Sequence, residues 1–249
     1  MIRFAAPTLT AVALLAGSAS AADLTDLTDP ERAAFRAEVR AYLMDNPEII
    51  IEAVDLLKER NAQDQAQADV SLVKDNADAL FDDGYSWVGG NPEGDITLVE
   101  FMDYRCGYCR RAKPEVAKLL AADGNIRLIV KEFPILGEAS MVSSRFAIAT
   151  RKVAGDEAYE QVHDALMELD GDINDVVLGR LADGLGLDSA PILERMGDED
   201  ITAEIAETRA LAQRMQISGT PTFVLHDELL RGYLPADQLE IIVSEKRDG

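Results

Sequence analysis

Reactive sulfur is scarce in this sequence. Among 249 residues there are two cysteines, Cys106 and Cys109. Two cysteines cannot supply the several bridges of a disulfide-stapled framework. Histidine is as rare, and His163 and His226 lie far apart and unpaired. Structural zinc usually draws its ligands as two close pairs, so this distribution speaks against it. No glycine-rich phosphate loop and no G-x-S-x-G nucleophile elbow is present. Positive charge is also in short supply, with 24 Lys+Arg against 46 Asp+Glu and a formal net charge of -22. Nucleic acid and anionic membranes repel such a surface. Beyond the N-terminus no apolar run approaches the ~20 residues that a membrane span needs.

What is present begins with an export pattern. Arg3 precedes the apolar run "AAPTLTAVALLAGSASAA", and Ala19-Ser20-Ala21 fits a small-x-small cleavage site. Residues 1–22 therefore read as a signal peptide, with the mature chain starting near Ala22 or Asp23. The expectation is a periplasmic, soluble protein. In an oxidising compartment a structural disulfide gains most by closing a long loop. Cys106 and Cys109 enclose two residues, so the pair reads as chemical rather than structural.

Three regions follow. Residues 23–83 are helical in pattern and read as an N-terminal arm. Thr28-Asp29-Pro30-Glu31 starts one helix and Asn46-Pro47-Glu48 another, which is expected to run to about Phe81. Phe35, Val39 and Leu43, then Ile50, Val54 and Leu57, form apolar faces with too little content for a core of their own. Either they dock on the following domain or they meet another copy, and oligomerisation is the favoured reading. Residues 84–249 form an α/β domain. A strand over Ile96–Met102, a helix from Gly107 to about Ala122 and a strand from Ile126 to Phe133 make a βαβ unit. "TPTFVLHDELLRGYL" adds two strands, and a closing helix runs from Pro235 to Lys246. About residues 137–217 lies a helical insertion, with four helical patterns separated by Gly/Asp turns.

A C-x-x-C at a helix N-terminus after a buried strand is a dithiol site. Thiolate is the attacking species in disulfide exchange, and the free N–H groups and dipole of the helix end favour it. Cys106 is expected to be the exposed nucleophile and Cys109, one turn in, the shielded resolving thiol. Arg105, Arg110, Arg111 and Lys113 surround the pair. Cations sit poorly with the dipole of a first helical turn but well beside a thiolate. Each of them either serves the sulfur or merely faces water and acidic patches.

From Tyr85 to the C-terminus the sequence resembles the thioredoxin superfamily, in its exported DsbA-like branch. "EFMDYRCGYC" looks like that family's strand-to-site junction. Glu100 stands where these proteins carry a buried acid, Pro114 where a proline interrupts the site helix, and "GTPTFV" (Gly219 to Val224) where a cis-proline loop faces the dithiol. The large insertion is DsbA-like. Gly107-Tyr108 and Thr220 resemble DsbC-like and ScsC-like proteins more than the oxidase DsbA, which has Pro-His between its cysteines. "AYLMDNPEIIIEAVDLLKER" resembles the arm of ScsC-like proteins.

The resemblance implies a thioredoxin fold with a large helical insertion and an N-terminal helical arm. Cys106 and Cys109 are the implied redox-active pair, and Glu100 the group that moves the proton of Cys109. On an apolar strand a carboxylate is otherwise costly. Lys131 in "LIVKEF" is a candidate partner for Glu100. Gly107, Tyr108, Thr220 and Pro221 are implied to contact substrate, with the backbone of Thr220 pairing to an extended peptide. No cofactor and no metal is implied. Partners are unfolded or misoxidised exported proteins, a membrane redox partner (DsbD-like or ScsB-like reductant, or DsbB-like oxidant), and further copies of the chain, but no nucleic acid. Several dithiols facing one substrate would suit a disulfide isomerase or reductase. The alternatives are a DsbA-like oxidase, or a chaperone or copper-binding protein in which the dithiol is secondary.

Overall fold

The computed structural model describes residues 27–248. The expected signal peptide at residues 1–22 lies outside the described residues. The chain divides into two compact units, Met1–Glu59 and Arg60–Gly249.

In the first unit, helix α1 (Asp29–Asp45) starts as its sequence demands. Thr28 and Glu31 form a reciprocal capping box, with the Thr28 N–H donating to Glu31 Oε2 at 2.9 Å and Pro30 in the first turn. Asn46 ends the helix, its side-chain amide donating to the Tyr42 carbonyl at 2.9 Å. Helix α2 (Glu48–Asp75) then begins. No residue of α1 is buried, and the unit by itself leaves Phe35, Val39, Ile50, Val54 and Leu57 exposed. Phe35, Val39, Leu43, Met44 and Ile50 line a groove of about 410 Å³.

The second unit takes in residues 60–83, which the sequence assigned to the arm. The division lies earlier because the later part of this stretch, from Asp69 on, packs with the core. Val73 and Leu80 are buried against the sheet, and both guanidinium nitrogens of Arg231 donate to Asp69, at 2.6 and 2.9 Å. The helix also breaks at Asn76 instead of running on. Asn76 Nδ2 donates to the Leu72 carbonyl, its Oδ1 accepts from Arg214, and helix α3 (Ala77–Phe81) follows.

Strands β1 (Trp87–Gly90) and β2 (Ile96–Met102) are followed by helix α4 (Gly107–Asp123) and strand β3 (Ile126–Glu132). Five helices then intervene where four were expected: α5 (Glu138–Ala154), α6 (Asp156–Glu168), α7 (Asp175–Gly184), α8 (Ser189–Arg195) and α9 (Glu199–Arg214). The extra one is the short α8, whose seven residues are too few to show a clear period. Strands β4 (Thr222–Leu225) and β5 (Glu228–Arg231) and helix α10 (Ala236–Asp248) complete the unit.

The five strands form one sheet in the order β1-β3-β2-β4-β5. β2 and β3 are parallel, with α4 crossing between them, and the other pairings are antiparallel. Both faces of the sheet are covered, so the central strands are apolar on both sides. Leu98 and Met102 of β2 face one core with Leu128, Val130 and Phe223; Val99 and Phe101 face the other with Ile129, Phe133 and Val224. Helices α4 to α8 and α10 supply the first core, and α9 serves both, with Ile201 and Ile205 in the first and Leu211 and Ala212 in the second beside Val73 and Leu80. No described helix is long and apolar enough to cross a membrane.

Candidate active site

The dithiol stands where β2 hands over to α4. Cys106 is the N-cap of that helix in an extended conformation, and its carbonyl accepts the first helical bond, from Arg110 N–H at 3.1 Å. Asp103 organises the turn before it. This fully buried side chain accepts from Arg105 N–H at 2.8 Å through one oxygen. Through the other it accepts from Ile135 and Leu136 N–H at 2.8 and 3.0 Å. It thereby ties the approach to the dithiol to the loop after β3. Only the Asx-turn spacing Asp103-x-Arg105 hints at this in the sequence.

Cys109 is completely buried, as expected of a resolving thiol. Cys106 is covered more than expected, at 7% exposure. The reason is the loop before β4, where the Thr220–Pro221 peptide bond is cis. The Cys106 thiol donates to the Thr220 carbonyl at 3.1 Å, so Thr220 and Pro221 are brought directly onto the dithiol. Gly107 and Tyr108 lie on the open side, Tyr108 being 56% exposed. Pro114 sits inside α4, where it cannot donate to the Arg110 carbonyl, yet the helix continues to Gly124, whose left-handed φ of 66° caps it.

Glu100 lies on β2 in the same core as Leu98 and Met102, beneath the dithiol. It is 4% exposed, and its Oε1 has no partner among the described residues. Burial pushes its carboxyl up to about 8. Burial also pushes the Cys109 thiol far up, and the charge of Glu100 adds to that. A charged Glu100 thus makes Cys109 harder to ionise. Glu100 borders a cleft of about 550 Å³ together with Pro114, Leu128, Lys113 and His163.

Lys131 does not partner Glu100. In the parallel register Glu100 stands opposite Val130, and Lys131 opposite Phe101. A one-residue offset puts a strand side chain on the other face. Lys131, fully buried, instead donates to Asp83 Oδ2 at 2.5 Å and to the Ala79 carbonyl at 2.8 Å. It holds the segment after α3 against the sheet.

Most of the basic cluster is also employed elsewhere. Arg110 donates to the Tyr104 carbonyl at 2.9 Å, to the Leu169 carbonyl at 2.6 Å and to Asp170 at 2.7 Å. Lys113 reaches the Asp164 carbonyl and the Asp164 and Glu168 carboxylates, and Arg105 the Leu169 carbonyl. These carbonyls end α6, a helix with no basic residue in its own last turn. The cations of α4 supply the capping charge that α6 lacks and pin the insertion to the dithiol helix. Arg111 is the exception. Its guanidinium lies over the rings of Tyr108 and Tyr233.

A buried polar group that the sequence did not signal lies behind the turn. Tyr104 and Tyr159 both donate to Glu132 Oε1 at 2.7 Å, and Tyr104 Oη is 3.1 Å from His163 Nδ1. Burial lowers His163 to about 4 and raises Glu132 to about 7, the latter opposed by its tyrosine donors. His163 is therefore neutral at pH 7. With the one Tyr104 proton given to Glu132, Nδ1–H of the imidazole donates to the Tyr104 oxygen. Among the described residues no group of three or more His, Cys, Asp or Glu side chains is placed to hold a metal ion.

A buried acid below a C-x-x-C, with a cis-proline loop laid across it, defines the thioredoxin-like thiol:disulfide oxidoreductase fold. Residues 97–244 match the DSBA-like thioredoxin domain, and the chain belongs to that family. Residues 31–64 match the copper resistance protein ScsC N-terminal domain. A thioredoxin-like oxidoreductase from Silicibacter pomeroyi DSS-3 is 44% identical, with a TM-score of 0.65 over 69% of this chain and 98% of that one. Proteus mirabilis ScsC in a transitional conformation is 28% identical, with a TM-score of 0.65 over 88% of this chain and 98% of that one. The Na(+)/H(+) antiporter NhaA 1 of Salinispora arenicola (strain CNS-205) is 30% identical over 63% of this chain. This chain spans 24% of that antiporter's length.

Proposed function

We propose that the protein is a periplasmic thiol:disulfide oxidoreductase that exchanges disulfides with exported proteins through Cys106 and Cys109, working as an isomerase or reductase. The observation that carries this is the stack of Glu100, Cys109, Cys106 and the Thr220 carbonyl, with a proton acceptor on one side of the pair and a peptide acceptor on the other. The thiolate of Cys106 attacks a substrate disulfide, forming a mixed disulfide and releasing one substrate thiolate. In an isomerase that thiolate attacks a second disulfide of the substrate, and the substrate thiolate so freed attacks the mixed disulfide and releases Cys106 as a thiolate. In a reductase Cys109 passes its proton to Glu100, attacks Cys106 and releases the substrate as a dithiol. Gly107, Tyr108, Thr220 and Pro221 form the platform on which an extended substrate lies, pairing with the Thr220 backbone. A membrane reductant keeps the pair reduced.

The apolar faces of the first unit support assembly of several copies, which raises the effective concentration of dithiols around one substrate. Reactivation of scrambled ribonuclease by the reduced protein, and its loss in a Cys106→Ser variant, tests the isomerase direction. Reactivation of reduced ribonuclease alone, by the oxidised protein, assigns it as an oxidase. Light scattering tests assembly: Phe35→Asp with Val39→Asp converts an oligomer to a monomer. A monomeric parent chain refutes assembly.

A further inference from the structure

Arg111 is the one cation of the dithiol cluster without a structural task. Arg110, Lys113 and Arg105 are committed to the end of α6, whereas among the described residues no carboxylate pairs with Arg111. Its Cζ lies 4.2 Å from the Tyr108 ring centroid and 5.9 Å from that of Tyr233. Tyr108 precedes it by three residues on α4, so the first stack follows from helical spacing. Tyr233 comes from the loop after β5, which is tied to the cis-proline loop by Gly232 N–H donating to the Pro221 carbonyl at 3.0 Å. The three side chains thus join the two elements that frame Cys106, and all three are exposed.

Stacking uses the face of a guanidinium and leaves its in-plane N–H donors free, in the fork that matches a carboxylate. The neighbouring Lys118 is neutralised by Glu115 at 2.6 Å. Arg111 is therefore a free, oriented cation on the rim of the dithiol, in a chain whose net charge is -22. We propose that Arg111, held by Tyr108 and Tyr233, favours substrate segments with an Asp or Glu side chain next to the reacting cysteine. This rests on the oxidoreductase reading above and names the substrate class of that site.

The test uses peptides with one internal disulfide between a fluorophore and a quencher, differing only in an Asp, Asn or Lys beside one cysteine. Reduced full-length protein in excess gives up two electrons: Cys106 attacks one peptide sulfur, Cys109 displaces it, and the peptide dithiol leaves a protein disulfide. The expected second-order rate is about two- to fivefold higher for Asp than for Asn, the scale of an exposed ion pair. Lys falls below Asn by a similar factor. The Asp-to-Lys ratio shrinks at ~1 M salt, where the screening length is about 3 Å. In Arg111→Met the ratio drops to one or below, because only the acidic body remains, and Arg111→Lys keeps part of it. A ratio that survives Arg111→Met, or that is one or less in the parent chain, overturns the inference while leaving the oxidoreductase reading intact. Reduction of none of the peptides removes both.

Discussion

Replacing Glu100 by Gln tests the site where its chemistry and its cost meet. The carboxyl is buried, one oxygen has no partner, and burial raises it from 4.5 to about 8. A group raised on folding holds its proton more tightly in the folded state. Its stabilising share is complete below pH 4.5 and is lost as pH climbs to about 8. At pH 7 the folded chain has therefore forgone two and a half of these pH units, each worth about 1.4 kcal/mol, or about 3 kcal/mol in all. Glutamine fills the same space and never ionises. Glu100→Gln should be more stable than the parent by up to about 3 kcal/mol at pH 7, which is ~6–12 °C in Tm for a unit of this size. The gain should vanish near pH 4. Calorimetry of the reduced protein at several pH values reads this directly. On the mechanism proposed above Glu100 accepts the Cys109 proton, so the same change should slow the resolving step by about a hundredfold or more. In the parent chain that step accelerates with pH and levels near 8, whereas the variant lacks the break. A Tm difference independent of pH, or an unchanged break in the rate profile, would refute the argument that Glu100 titrates beneath Cys109.

Other outcomes follow from the contacts around the site. Asp83→Asn leaves the fully buried Lys131 ammonium without its counter-charge and should cost ~3–5 kcal/mol in urea unfolding. Asp83→Asn with Lys131→Met should recover most of that, and equal losses in single and double variants would dismiss the pair as a unit. Arg110→Gln removes two contacts at the end of α6 and one to the Tyr104 carbonyl. Hydrogen exchange should speed up in the last turn of α6 and in the Tyr104 turn, while α10 stays as it was. A response confined to α4 would show that the capping of α6 does not depend on Arg110.

Much of the site was legible in the chain itself. β2 was read at its observed limits, because its alternating and doubly apolar pattern between turn residues admits few other readings. The start of α4 at Gly107 follows from the dithiol and the polar turn before it. The pairing of distant Thr220-Pro221 with Cys106 came from resemblance and not from local pattern, since 114 residues separate the thiol from the carbonyl it meets. Lys131 is not the partner of Glu100, because neighbouring strands can be recognised from sequence without their register. One residue of offset sends Lys131 to the opposite face, onto Asp83.

The division of the fold at residues 59 and 60 differs from the arm read over residues 23–83 for a related reason. Residues 60–83 look polar and helical, and only contact with the sheet reveals that Val73, Leu80 and Asp69 belong to the core. By itself, then, the sequence determined what depends on neighbours along the chain: the dithiol, its helix, the caps of α1 and the poverty of positive charge. Tertiary structure alone decided which charges meet. It sent three of the four cations beside the cysteines to a helix end some sixty residues away, and left Arg111 at the rim. A side chain's role in a low-dielectric interior is set by which groups lie within a few ångströms, and sequence separation carries no such distance.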